Sequence, residues 1–165
     1  MPYLIVIAMA YPISKWIIPT VYSPWIRKVE GLENIPKDMP FIIAANHSSY
    51  FDALIVPVII VHRINKKMHA MVNSFYWKPL LTRFFLDLWE SIPVYVGKEK
   101  DSKEKNKAAF EKALNYLRKN ELVMIFPEGK RSYDGKLKKA FNGIARLALK
   151  AKTPILPCGI IDSNK

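Results

Sequence analysis

From residue 26 onward, short apolar runs alternate with longer stretches whose apolar positions recur every three or four residues. The runs at 26–30, 40–45, 69–72, 91–96, 122–126 and 154–161 read as strands. Phe110, Ala113, Leu114 and Leu117 form one helical stripe, and Phe141, Ile144, Ala145 and Ala148 form another. A further helical segment begins at Ala53. Stripes of this kind are core faces more often than ligand boxes. Strand and helix in alternation predict an α/β domain with a largely parallel sheet flanked by helices. Around the first stripe, Lys98, Lys100, Lys103, Lys105 and Lys107 alternate with Glu99, Asp101, Glu104 and Glu111. That pattern predicts a solvated helix face, and its lysine excess leaves partner docking as the alternative.

The first 26 residues break the pattern, with Lys15 as their only ionised side chain. Pro12, Lys15 and Pro19 interrupt the apolar run, so one clean membrane crossing of about 20 residues is not expected. Tyr3, Tyr11, Trp16, Tyr22 and Trp25 suit the interface between water and lipid, and Arg27 and Lys28 follow where anionic headgroups would hold them. The expectation is a helical, monotopic membrane anchor over 1–26 on the cytoplasmic face, followed by one domain over 27–165. A helix packed on the domain is the plainer alternative. The basic n-region and small-residue cleavage site of a signal peptide are not evident.

Composition narrows the function. The chain has 165 residues, half of them hydrophobic, which is enough for one compact core. A net charge of +12 excludes an acidic, solvating chain and favours a polyanionic partner: nucleic acid, an anionic membrane, a phosphorylated substrate or an acidic carrier. Nucleic acid is the weakest of these, because the aromatics do not interleave with the basic residues as in a stacking platform. Cys158 has no intrachain partner, and His47, His62 and His69 lack metal-ligand spacing, so neither a disulfide nor a metal is expected.

Two polar clusters follow apolar strands. Phe41-Ile42-Ile43-Ala44-Ala45 runs into Asn46-His47-Ser48-Ser49-Tyr50-Phe51-Asp52. In parallel α/β sheets, ligands bind at the carboxyl ends of strands. His47 can take and return a proton near neutral pH, and Asp52, across a strand-to-helix turn, can hold one ring nitrogen and leave the other as a base. A His-Asp dyad without its own nucleophile implies that the substrate supplies the hydroxyl that attacks an activated acyl group. Ser48 and Ser49 read as helix N-caps. Val123-Met124-Ile125-Phe126 runs into Pro127-Glu128-Gly129-Lys130-Arg131-Ser132. Here glycine permits close backbone approach and Arg131 offers a planar fork for phosphate oxygens. Lys130, Lys136, Lys138 and Lys139 extend the positive field, and Glu128 can order Arg131 or accept from a substrate hydroxyl.

From about Trp25 to Cys158 these residues resemble the glycerolipid acyltransferases of phospholipid synthesis, of the 1-acylglycerol-3-phosphate (lysophosphatidate) acyltransferase type. Asn46-His47-x-x-x-x-Asp52 is similar to the family's first block, Ser91-Ile92-Pro93-Val94 to the end of its second, Phe126 to Ser132 to its third and Thr153-Pro154-Ile155-Leu156-Pro157 to its fourth. Two positions depart from the pattern. The second block usually opens with a basic residue where this chain reads Val72-Asn73-Ser74-Phe75, and its usual closing arginine is replaced around Tyr95-Val96. Lys78 and Lys98 are candidates to supply the missing charge.

The resemblance implies transfer of an acyl chain from an acyl carrier protein or coenzyme A thioester to lysophosphatidate at an anionic membrane surface, making phosphatidate, with no further cofactor. His47 would be the general base and Asp52 would orient it, while Glu128, Gly129 and Arg131 would bind the acceptor. Relatives generally continue beyond the fourth block, so a C-terminally trimmed domain is also an expectation. Acylation of another lysophospholipid or of glycerol 3-phosphate, and a non-catalytic basic membrane-binding module, are the alternatives.

Overall fold

The computed structural model describes residues 20–163 apart from 22 and 98–100. Five strands, β1 (Ile42–Ala45), β2 (Met68–Asn73), β3 (Ile92–Val94), β4 (Leu122–Ile125) and β5 (Ile155–Cys158), form one sheet in the order β3-β2-β4-β1-β5. Every pairing is parallel. The helices are α1 (Asp52–Ile64), α2 (Leu80–Leu88), α3 (Ser102–Arg118) and α4 (Gly143–Ala151).

The sheet is covered on both faces, which is why its central strands read as unbroken apolar runs. Phe41, Ile43 and Ala45 from the β1 run join Leu122 and Met124 of β4 under Val56, Ile60 and Val61 of α1. Their neighbours Ile42 and Val123 point the other way, onto Ala113, Leu114 and Leu117 of α3 and Ile144 and Leu147 of α4. Period-two alternation in the strands and the helical period of α3 therefore meet in two clusters, one per face. At the amino end of β2, the fully buried His69 lies between the Glu90 carbonyl (3.2 Å from Nδ1) and the Glu121 carboxylate (3.1 Å from Nε2), tying the entries of β2, β3 and β4 together.

The expected strand at 26–30 does not form. Its two apolar residues, Ile26 and Val29, are three apart, so neither face of a pleated strand there would be apolar. Arg27, Lys28 and Glu30 are exposed, and Lys28 pairs with Glu30 at 2.7 Å. Helix α4 turns the second stripe: Ile144 and Leu147 are buried, Ala145 is exposed, and Phe141 precedes the helix. The 3-10 turn Ser74–Trp77 and α2, between β2 and β3, are elements that the sequence pattern did not predict. The expected anchor lies mostly outside the described residues, and among those described no helix is long and apolar enough to cross a membrane.

What positions the site is the reversal of direction at β1. The chain leaves β1 through α1 toward β2 on one side, and leaves β4 through α4 toward β5 on the other. Crossovers in opposite directions with the same hand put their helices on opposite faces, and because each passes the other's strand, the loops after β1 and β4 meet at the carboxyl ends, where parallel sheets bind ligands.

Candidate active site

His47 stands immediately beyond β1 and is held at every point by its surroundings. Its backbone N–H donates to Glu128 Oε1 (3.2 Å) and its carbonyl accepts from the Ser132 N–H (2.7 Å), both from the loop after β4. The imidazole stacks on Phe126 with ring centroids 3.9 Å apart. Nδ1 lies 3.0 Å from Asp52 Oδ2, and an ionised carboxylate only accepts, so in the neutral ring the proton sits on Nδ1 and the lone pair on Nε2. The side chain is 18% exposed. The ring is thus fixed in plane, tautomer and direction, with its basic nitrogen open to a substrate.

Asp52, the first residue of α1, is fully buried. Its Oδ2 also accepts from the backbone N–H groups of Ser48 (2.7 Å) and Ser49 (2.8 Å). Burial pushes its carboxyl up, but the hydrogen bond to His47, the nearby Ser163 hydroxyl and the backbone N–H groups of Ser49 and Ser48 outweigh it, so the pKa lies below the ordinary value. Asp52 therefore stays ionised beside the ring. Its Oδ1 is buried with no hydrogen-bond partner among the described residues.

The serines do not cap α1. Ser48 Oγ pairs with Ser163 Oγ at 2.8 Å, and Ser49 Oγ accepts from the Phe51 N–H at 3.3 Å inside the turn. The carboxylate of Asp52 has taken the turn's N–H groups instead. Burial pushes the Cys158 thiol up, away from the reactive thiolate. Neither residue type offers His47 a nucleophile, in keeping with a hydroxyl brought by the substrate.

The loop after β4 places the other predicted residues. Glu128 is buried, and its carboxylate bridges two backbone N–H groups, His47 through Oε1 and Lys138 through Oε2 (3.1 Å). In this structure it orders the loop that carries His47, and Arg131 is held by other partners. Gly129 has φ 66°, and a Cβ there would come within 2.9 Å of the Phe141 ring, so this turn takes glycine. Arg131 donates to the Tyr50 hydroxyl (2.7 Å) and the Tyr133 hydroxyl (3.3 Å), with its guanidinium 3.5 Å from the Tyr50 ring centre. Tyr76, from the turn after β2, lies against Tyr50; burial and that contact raise its phenol pKa, and nearby Arg131 opposes the rise. Ser48, Ser49, Tyr50, Arg131, Tyr133 and Ser163 line an open cleft of about 320 Å³.

The structure thus brings His47, Asp52 and Glu128 into direct contact and sets Arg131 in the neighbouring cleft. The sequence reading missed Phe126 beneath the imidazole and the tyrosines around Arg131. Tyr50 was legible only as an aromatic inside the first polar block, Tyr133 lies just past the second, and Tyr76 arrives from a turn that no periodicity marks. Asn46 has a separate task, exchanging two hydrogen bonds with the Ile160 backbone (2.9 and 2.6 Å) and so fastening the exit of β5 beside the site.

A family model described as Acyltransferase matches residues 26–161. The chain belongs to that acyltransferase family. Among its relatives, the 1-acyl-sn-glycerol-3-phosphate acyltransferase of Borreliella burgdorferi is 30% identical over 136 residues, covering 82% of this chain and 51% of that protein. The enzyme of the same name from Bacillus subtilis is 29% identical over 131 residues, covering 79% of this chain and 60% of that one. The crystal structure of the 1-acyl-sn-glycerophosphate acyltransferase PlsC from Thermotoga maritima shares the fold, with a TM-score of 0.65 at 24% identity over 87% of this chain and 55% of that one. The chain spans about half the length of the relatives it matches. His47, Asp52, Glu128 and Arg131 fall inside the matched region.

Proposed function

We propose that this acyltransferase-family chain transfers an acyl group from a coenzyme A or acyl carrier protein thioester to the free hydroxyl of lysophosphatidate, giving phosphatidate. The observation that carries this reading is the His47 imidazole, fixed through Nδ1 to a buried, ionised Asp52 with Nε2 left open. Nε2 takes the proton of the acceptor hydroxyl as its oxygen attacks the thioester carbonyl. The tetrahedral intermediate then collapses, the C–S bond breaks, and the imidazolium returns the proton to the departing sulfur. A thioester is already activated, so the reaction asks for no metal or further cofactor.

Arg131 supports the acceptor assignment, because its guanidinium fork beside an open cleft suits a phosphate, and Lys130, Lys136, Lys138 and Lys139 add positive field. In this reading Gly129 shapes the acceptor-binding turn and Glu128 holds it against His47. The +12 chain works at the cytoplasmic face of an anionic membrane, with residues 1–26 as a monotopic anchor.

The test is thiol release from acyl-coenzyme A and from acyl carrier protein thioesters, with and without lysophosphatidate. Release that depends on the acceptor, and that falls by about 10²–10⁴-fold in a folded His47→Ala protein, is the expected result. Acceptor-dependent release that His47→Ala leaves intact would overturn the role of the dyad. Release with glycerol 3-phosphate or a different lysolipid in place of lysophosphatidate would reassign the acceptor.

A further inference from the structure

Helix α2 turns most of its apolar residues toward solvent. Of its nine residues only Leu88 is buried, while Leu80 (82%), Leu81 (71%), Phe84 (46%) and Phe85 (42%) are exposed. Phe75 (58%) extends the ridge from the preceding 3-10 turn. A helix this short is not stable alone in water, and an apolar ridge of this extent marks a contact surface.

Its position says what it contacts. The turn Ser74–Trp77 leaves the carboxyl end of β2, the strand beside β4, and Tyr76 within it lies against Tyr50 of the Arg131 cleft. The ridge therefore adjoins the cleft on the site's side of the sheet. Its net charge is a single positive one. Lys78 sits beside Phe75, its ammonium 5.2 Å from the ring centre, and Arg83 projects from α2. The acidic Asp87 is engaged by Arg83 (3.5 Å) and by the Trp77 indole N–H (2.8 Å). Exposed Leu and Phe beside the Lys78 ammonium, on a +12 chain, match a bilayer surface whose headgroups are anionic and whose acyl boundary is apolar.

We infer that the ridge formed by Phe75, Leu80, Leu81, Phe84 and Phe85 inserts into the headgroup–acyl boundary of an anionic membrane and holds the mouth of the Arg131 cleft against lipid. The inference rests on the reading of a lipid acceptor. It gives the acceptor a short path, from the bilayer past Tyr76 and Tyr50 to the site, and it assigns lipid contact to an internal element besides the N-terminal segment.

An environment-sensitive dye on Phe84→Cys, in a Cys158→Ser background, tests the surface directly. It is expected to report water in the lipid-free protein and an apolar setting once phosphatidylcholine vesicles containing phosphatidylglycerol are added. A dye that already reports an apolar setting without lipid means that another part of the chain or a second copy covers the ridge, and overturns the inference. A dye that still reports water on vesicle-bound protein overturns it too. The paired variant Leu81→Glu/Phe84→Glu, with an unchanged melting temperature, is expected to lose at least about tenfold in transfer to a vesicle-borne lysolipid. It should keep transfer to a short-chain acceptor dissolved as monomer. Equal rates for variant and wild type on vesicles would count against the ridge. Absence of transfer by the wild type to either acceptor would instead sink the acceptor reading, and the dye would still report on the ridge.

Discussion

Asp52 joins the proposed base and the local fold through one side chain. Its Oδ2 receives His47 and two backbone N–H groups, which fix the turn between β1 and α1 as well as the tautomer of the base. Asp52→Asn keeps the shape but loses the charge that holds Nδ1–H and balances an imidazolium. The transfer rate should fall by about 10²–10⁴-fold. Stability at pH 7 should fall by about 1–3 kcal/mol, since hydrogen bonds to a charged group are replaced by weaker ones. The sign of its pH dependence follows from a depressed folded pKa. The wild-type contribution is present above the unfolded value near 3.8 and is lost as pH falls through the lower folded value. Denaturant titrations should therefore show wild type and Asp52→Asn converging as the pH drops below about 4. Tyr50 offers a separate residue-level test. Tyr50→Phe keeps the ring on which Arg131 lies and deletes the hydroxyl at 2.7 Å. Loss of about 1 kcal/mol of orientation should raise the KM for the acceptor roughly fivefold and leave the donor's KM and kcat unchanged.

At the scale of elements, the loop after β4 is a clamp that fixes His47 just beyond β1. Glu128 and Ser132 grip the backbone of His47 on both sides, and Phe126 supports its ring. The turn that brings Glu128 into place depends on Gly129. Gly129→Ala meets two obstacles, a positive φ and the Phe141 ring 2.9 Å from the added Cβ. Phe141 is largely exposed and its ring can swing aside, so the backbone term remains, about 1–2 kcal/mol. Calorimetry should show that loss, and transfer activity should fall further than stability alone predicts, because the clamp on His47 shifts with the turn. The helices were legible to different degrees for a physical reason. Helix α3 spreads its apolar residues over a regular stripe against the sheet, and the sequence showed that stripe directly. Helix α4 spreads Ile144, Ala145, Leu147, Ala148 and Leu149 over an arc wider than the face it buries, so which of them turn inward was settled by α3 and the sheet. Helix α2 has apolar residues on its outward side too, and inward periodicity could not reveal it.

For the molecule as a whole, strand order is what makes a site from two distant segments. His47 and Glu128 are 81 positions apart in sequence and in contact because β4 returns to pair with β1. That return, with α1 on one face and α4 on the other, sets the dyad at the carboxyl edge of the sheet where the two loops meet. The same end of the sheet carries Arg131, the tyrosines and the exposed ridge of α2. Net charge acts at this scale as well: +12 spread over one domain favours anionic ligands and surfaces without selecting among them.

By itself the sequence determined the α/β class, the cores of five of the strands, the α3 stripe and the polar residues of both blocks. These depend on local order: alternation, helical period and side-chain chemistry at strand ends. It also suggested a strand at 26–30 that lacked an apolar face, and cap roles for Ser48 and Ser49 that Asp52 displaced. Only the tertiary structure decided that Glu128 grips His47 instead of Arg131, that Phe126 lies under the imidazole, and that tyrosines from three separate segments gather near Arg131. Those contacts join residues far apart in the chain, and their partners are chosen by which strands pair and which way the crossovers turn, information that no local pattern of hydrophobic and polar positions carries.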